Sequence, residues 1–337
     1  MEIFNDHRKL FGAALLLFVG LSFFVAILPA LNNQANNAPL PGSESLTGDA
    51  LRGKHVFIAN GCVACHSQQV RNVDMDKTWG SRPGIAADYA NNKRMNWWMN
   101  TATLMGTERT GPDLTNIGNR LPSDDWHLLH LYNPRAVIEE SVMPAYPWLF
   151  EWKAYPAEDE KVINVPEKYA KEKSGKLVAR KEALQLVAYI QSLKQVSLPN
   201  GTQPPDFLYK ADTQQPDREN GNQSIELDGA MLYAANCQAC HQASGEGLKG
   251  AFPPLKASEI VLNDNPEILI EIIMKGYNGR EEYGEMPAVG VNNGLKPEEI
   301  TAIINHERTS WGNNARPIPL DEVERILKYL EKQEPNL

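Results

Sequence analysis

The pentapeptide Cys-x-x-Cys-His occurs twice, as Cys62-Val-Ala-Cys65-His66 and as Cys237-Gln-Ala-Cys240-His241, and the two copies hold all four cysteines of the 337-residue chain. Two cysteines at this spacing can each form a thioether with one vinyl group of a haem, and the adjacent histidine then lies beneath the iron as its proximal ligand. Two copies in matching contexts point to two covalently bound haem c groups. Other readings fit less well. Structural zinc pairs stand close in sequence, whereas a long stretch and a linker separate these. A thioredoxin-like dithiol has no need of the histidine, and disulfides would not explain the spacing.

The repetition extends beyond the pentapeptide. The segments starting at Gly53 and at Gly229 both read as a short amphipathic helix running into the motif. Pro112-Asp113-Leu114 then corresponds to Pro253-Pro254-Leu255, and Met143-Pro144-Ala145 to Met286-Pro287-Ala288. Each copy reaches a further helix. The first is expected near Lys181–Lys194, with Ala183, Leu186, Val187, Ile190 and Leu193 on one face. The second begins at Pro297, a favourable first-turn proline, and carries Ile300, Ile303 and Ile304. A last helix from Asp321 places Val323, Ile326, Leu327 and Leu330 at helical spacing, a pattern of plain packing.

A six-coordinate c-type iron needs one more ligand, and Met143 and Met286 are the candidates. A thioether is soft, favours ferrous iron and suits an electron carrier. Met95, Met99 and Met105 compete less well with Met143 because they precede the Pro-x-Leu element. His127 and His130 could make one haem bis-histidine, but their three-residue spacing suits packing or a surface role; His55 and His306 read the same way. The carbonyls of Pro112 and Pro253 are expected to accept hydrogen bonds from the haem histidines and fix their tautomer. Arg71, Arg109 and Arg120 could pair with propionates.

Leu10 to Leu31 carries no charge, and as a helix would span ~33 Å, enough for a bilayer core. Arg8 and Lys9 stand before it, so the short N-terminus is expected in the cytoplasm and the rest outside. The alternative, a cleaved signal peptide, is disfavoured by the length of the apolar stretch and by the lack of a small-x-small site after it. The expected organisation is a cytoplasmic N-terminus (1–9), a transmembrane helix (10–31), a polar tether (32–47), a first haem domain (48–196), a linker (197–225) and a second haem domain (226–337). The first domain carries two insertions. One contains Trp79, Tyr89, Trp97 and Trp98; the other, 151–180, is highly charged and expected to be solvated. Net charge is −9, with no basic run to suggest nucleic-acid binding. From Glu226 onward there are 18 acidic and 10 basic side chains. Glu281, Glu282 and Glu285, just before Met286, would attract a basic electron donor.

Residues 1–196 resemble subunit II of cbb3-type cytochrome c oxidases, the mono-haem FixO family. The likeness rests on the run Gly61 to Gln68, on Arg109-Thr-Gly-Pro-Asp-Leu114, on Asp125-Trp-His-Leu-Leu-His-Leu-Tyr-Asn-Pro-Arg135, and on Glu140-Ser-Val-Met-Pro-Ala-Tyr-Pro-Trp148. The resemblance implies a complex in which a haem–copper catalytic subunit, encoded elsewhere, reduces oxygen, and it makes Cys62, Cys65, His66 and Met143 the haem attachment and ligands. The second repeat resembles a general class I cytochrome c module through Gly250-Ala-Phe-Pro-Pro-Leu255 and Ser310-Trp-Gly-Asn313. A fused second haem departs from the mono-haem pattern and could replace part of a separate dihaem subunit.

The expected fold is mainly α, a transmembrane helix followed by two class I cytochrome c domains. The expected role is an electron-transfer subunit on the outer face of a bacterial inner membrane, with other membrane subunits as partners, a soluble or membrane-bound donor, and no oxygen site of its own. The alternatives are a cytochrome subunit of another respiratory complex, such as a quinoprotein dehydrogenase, and a dihaem peroxidase, which would need one haem without a methionine ligand.

Overall fold

A computed structural model describes residues 4–36, 39–46, 48–92, 104–106, 108–170, 175–208, 227–280 and 282–333. Met95, Met99, Trp97, Trp98, Glu281 and most of the expected linker lie outside these residues. The described chain is mainly helical, with two units built on one plan.

A continuous helix from His7 to Ala35 comes first, and none of its most apolar window is buried against the rest of the chain. Asp6 caps it, accepting the Arg8 backbone N–H at 3.0 Å. It is long and apolar enough to cross a membrane.

In the first unit, helix Gly48–Ala59 packs across helix Lys181–Ser192. Gly53 makes the crossing possible: a Cβ there would lie 1.8 Å from the Gln185 carbonyl oxygen. Phe57 and Tyr189 meet edge to face beside it, with ring centroids 5.4 Å apart, and both are fully buried. The second unit repeats the arrangement with helices Gly229–Asn236 and Pro297–Thr309. A Cβ on Gly229 would lie 2.3 Å from the Ala302 carbonyl oxygen. Tyr233, Ile300, Ile303 and Ile304 are buried behind this crossing. Helix Leu320–Gln333 closes the unit with Val323 and Leu330 inward.

The charged insertion departs from expectation. It is not simply solvated but forms an antiparallel sheet of β1 (Phe150–Lys153), β2 (Val162–Ile163) and β3 (Lys176–Ala179) in the order β1-β3-β2. Phe150, Ile163 and Leu177 are buried by it. The charges hide a short two-residue alternation, in which Phe150 and Trp152 share one face while Glu151 and Lys153 share the other.

The units are packed together. Ala251 and Phe252 of the second unit belong to the same buried apolar cluster as Leu129, Phe150 and Leu177 of the first. Glu285 N–H donates to Asp125 Oδ2 at 3.0 Å.

Filling either helix crossing should be costly. Gly53→Ala and Gly229→Ala are each expected to lower unfolding stability by about 1–3 kcal/mol through overpacking, measured by denaturant titration of the purified chain.

Candidate haem-binding sites

Helix Gly48–Ala59 ends where Gly61 turns into the left-handed region (φ 70°), and a single tight turn, Cys62–Ala64, follows. This turn buries Cys62 and leaves Cys65 exposed. His66 N–H donates to the Cys62 carbonyl at 2.9 Å. In the second unit, His241 N–H donates to the Cys237 carbonyl at 3.0 Å.

The expected proline contacts are present in both units. His66 Nδ1 lies 2.9 Å from the Pro112 carbonyl oxygen, and His241 Nδ1 lies 2.9 Å from that of Pro253. An Nδ1–H donated to a carbonyl leaves the Nε2 lone pair for iron. Burial lowers the pKa of both imidazoles, against the opposing pull of these carbonyls, and so favours the neutral, ligating form. Gly111 lets the backbone reach Pro112, because a Cβ there would sit 2.3 Å from the His66 ring.

In the second unit Cys237, Cys240, His241 and Met286 line one cavity, with Leu255, Leu269 and Ile273 among its walls. Burial pushes the Cys240 thiol up to about 12 and raises Cys237 as well. Two buried polar atoms without a hydrogen-bond partner belong to residues lining this cavity, Arg120 Nε and Glu307 Oε2. Burial raises the Glu307 carboxyl to about 8. Apolar walls, paired thiols, an imidazole and a thioether lining one cavity suit a haem, and the orphaned polar atoms suit its polar edge. No disulfide joins any of the four cysteines. Among the described residues no group of three or more His, Cys, Asp or Glu side chains is placed to hold a bare metal ion, which leaves the zinc reading without a ligand set.

The first site has a neighbour that the sequence reading took for a packing or surface residue. His130 Nε2 lies 3.2 Å from Met143 Sδ, and its ring stacks on Trp126 with centroids 4.6 Å apart. Burial, then the nearby His127 and His66, push His130 down to about 3. His127 instead spends its Nε2 on the Leu121 carbonyl at 2.9 Å. The signal for His130 was the four-residue spacing from Trp126, which stacks the two rings on one helical face.

Other candidates serve elsewhere. Arg71 and Arg109 both hold Asp76, whose carboxylate is fully buried. Met105 contributes its carbonyl to Gln68 N–H at 3.1 Å. His55 is exposed, and His306 packs against Tyr233 and Trp311. Glu282 is bound to Arg280, and the Glu285 backbone docks on Asp125, so the acidic run before Met286 is partly engaged within the chain.

Comparison with known proteins divides the chain in the same way. Residues 2–168 match the family of the cytochrome c oxidase mono-haem subunit FixO, and residues 226–306 match that of cbb3-type cytochrome c oxidase subunit III. Cytochrome c-552 of Thermus thermophilus is 38% identical over 112 residues, which are 30% of this chain and 85% of that one. The cytochrome c subunit of a quinone-dependent alcohol dehydrogenase from Gluconacetobacter polyoxogenes is 34% identical over 28% of this chain and 21% of its own length. Subunit FixP of a cbb3-type cytochrome c oxidase from Bradyrhizobium sp. (strain ORS 278) is 30% identical over 25% of this chain and 30% of its own.

Glu307 carries a pH prediction. Its native carboxyl keeps a proton that the unfolded chain releases, so it contributes stability at low pH that is lost as pH rises from the ordinary carboxylate range through about 8. Glu307→Gln should flatten the fall in stability across that window, as read from urea midpoints at a series of pH values; an unchanged slope would count against the assignment.

Proposed function

Since the chain belongs to the cbb3-type cytochrome c oxidase families, a FixO mono-haem subunit over residues 2–168 followed by a subunit III cytochrome domain over residues 226–306, we propose that it is a membrane-anchored dihaem c-type cytochrome that passes electrons to the catalytic subunit of a cbb3-type haem–copper oxidase. The observation that carries this reading is continuity: a helix fit to cross a membrane leads into the FixO-matching unit, against which the second attachment loop is packed.

Bound haem c supplies one-electron iron chemistry. The chain's residues do the rest. Cys62 and Cys65 attach one group, and Cys237 and Cys240 the other. His66 and His241, each oriented by a proline carbonyl, would bind the two irons, and Met143 and Met286 would supply the remaining ligands, so oxygen chemistry falls to another chain. Span 10–31 anchors the protein in a bacterial inner membrane, with Arg8 and Lys9 on the cytoplasmic side and class I cytochrome c domains at 48–196 and 226–337 on the outer side. The acidic second domain suits a basic donor. A second reading, a cytochrome subunit of a membrane dehydrogenase, draws on the likeness to the alcohol dehydrogenase subunit.

Purification from native membranes tests both. The chain is expected to carry two haems by haemochrome assay and to co-purify with a haem–copper catalytic subunit. One haem per chain, or a dehydrogenase in its place, overturns the proposal. Met143→Leu and Met286→Leu should each abolish one methionine–ferric iron absorption band and lower one midpoint potential, with the other centre unchanged.

A further inference from the structure

One short helix, Asp124–Tyr132, touches the ligand-bearing loops of both sites. Its first turn faces the second unit. Asp125 receives the backbone N–H of Glu285, the residue before Met286. Trp126 Nε1–H donates to the Ala239 carbonyl at 3.0 Å, inside the Cys237–His241 motif. One turn later, His130 stacks on the Trp126 indole with 11° between the planes and presents Nε2 to Met143 Sδ at 3.2 Å. Trp126 is buried, and Ala239 and Cys240 pack on the first unit's core. Residues Arg120 to Ser123, just before this helix, line the second unit's cavity. From Met143 to Cys240 the contacts run without a gap: thioether, imidazole, indole, one hydrogen bond and one peptide carbonyl.

We propose that Trp126 is a positioning residue that seats the second attachment loop against the first site and couples the two centres electronically. The proposal rests on the reading that each site holds a haem c. In the transfer one electron leaves the centre bound through His241, whose iron passes from ferrous to ferric, and arrives at the centre bound through His66, whose iron passes from ferric to ferrous. Trp126 ends in the oxidation state in which it began and keeps its indole proton. The residue type follows from the two tasks. An indole offers an N–H to hold the Ala239 carbonyl and a flat face for His130; phenylalanine offers only the face, and leucine neither.

The test uses the full-length, haem-loaded protein and the variants Trp126→Phe and Trp126→Leu. One electron is injected by pulsed reduction, and its redistribution between the two centres is followed optically. Both midpoint potentials are measured alongside. Carbodiimide cross-linking of Lys249 to Glu167, 4.0 Å apart across the interface, reports the seating. Both variants are expected to keep two haems at wild-type potentials. Trp126→Phe should slow redistribution several-fold, because the hydrogen bond that joins the indole to the Ala239 carbonyl is lost while the ring remains. Trp126→Leu should slow it further, because the packing is lost as well, and should lower the cross-link yield. Redistribution at wild-type speed in Trp126→Phe and Trp126→Leu, with both haems present, overturns the proposal and leaves the functional reading standing. Should the leucine variant fail to load haem, the phenylalanine variant decides alone. A wild-type chain with fewer than two haems overturns the functional reading and this proposal with it.

Discussion

Each attachment loop hangs from a helix crossing in which glycine leaves no room for a side chain. Gly53 lies against the Gln185 carbonyl and Gly229 against that of Ala302, and every later feature of each unit follows from that approach. The crossing joins the helix that enters the Cys-x-x-Cys-His turn to the helix near the end of its unit. It therefore closes the unit independently of what lies between. This explains how the first unit carries two long insertions, one of them a three-stranded sheet, while keeping the same histidine–proline contact as the shorter second unit. Loop-closure cost grows only slowly with length, so an insertion is tolerated as long as the crossing and its apolar seam are preserved.

The two units solve one problem by different chemistry. In both, the segment after the histidine must be tied to the proline that holds the imidazole. The first uses a buried carboxylate: Asp113 accepts from Ser67 Oγ and Gln69 N–H, both at 2.7 Å, and from Thr115 N–H at 2.8 Å. The second has Pro254 at the matching place and no carboxylate. There the Gly245 carbonyl accepts from Leu255 N–H at 2.8 Å and Lys256 N–H at 2.9 Å. Gly245 and Gly247 adopt positive φ to allow it. The side-chain solution desolvates a charge, which three donors offset; the backbone solution demands glycine instead.

Much of this was legible in the sequence because it depends on short-range order. The attachment turns, the proline carbonyls, the two closing helices and the long apolar N-terminal helix each follow from a motif, a proline or a period. The β1–β3 sheet was not legible, because its strands are only two to four residues long and lie in a segment dense in charge. His130 suggested packing or a surface role because its partner Met143 is thirteen positions away and nothing local announces the contact. The acidic run at Glu282 and Glu285 is engaged both locally, by Arg280 two residues before Glu282, and by Asp125, which meets it only through the fold. What eluded the sequence is therefore the set of pairings made between elements, where side-chain chemistry permits many partners and topology selects one.

The interface between the units has an asymmetry with a bearing on how such a chain could arise. Across its two close hydrogen bonds the first unit offers side chains, Asp125 and Trp126, while the second offers only main-chain atoms, the Glu285 N–H and the Ala239 carbonyl. Main-chain atoms are common to every module of this shape, whatever its surface residues. The first unit thus supplies the polar side chains of the joint, while the second supplies backbone and the apolar side chains of Ala251 and Phe252, so a different cytochrome module grafted by gene fusion would need only that backbone path and an apolar patch beside it.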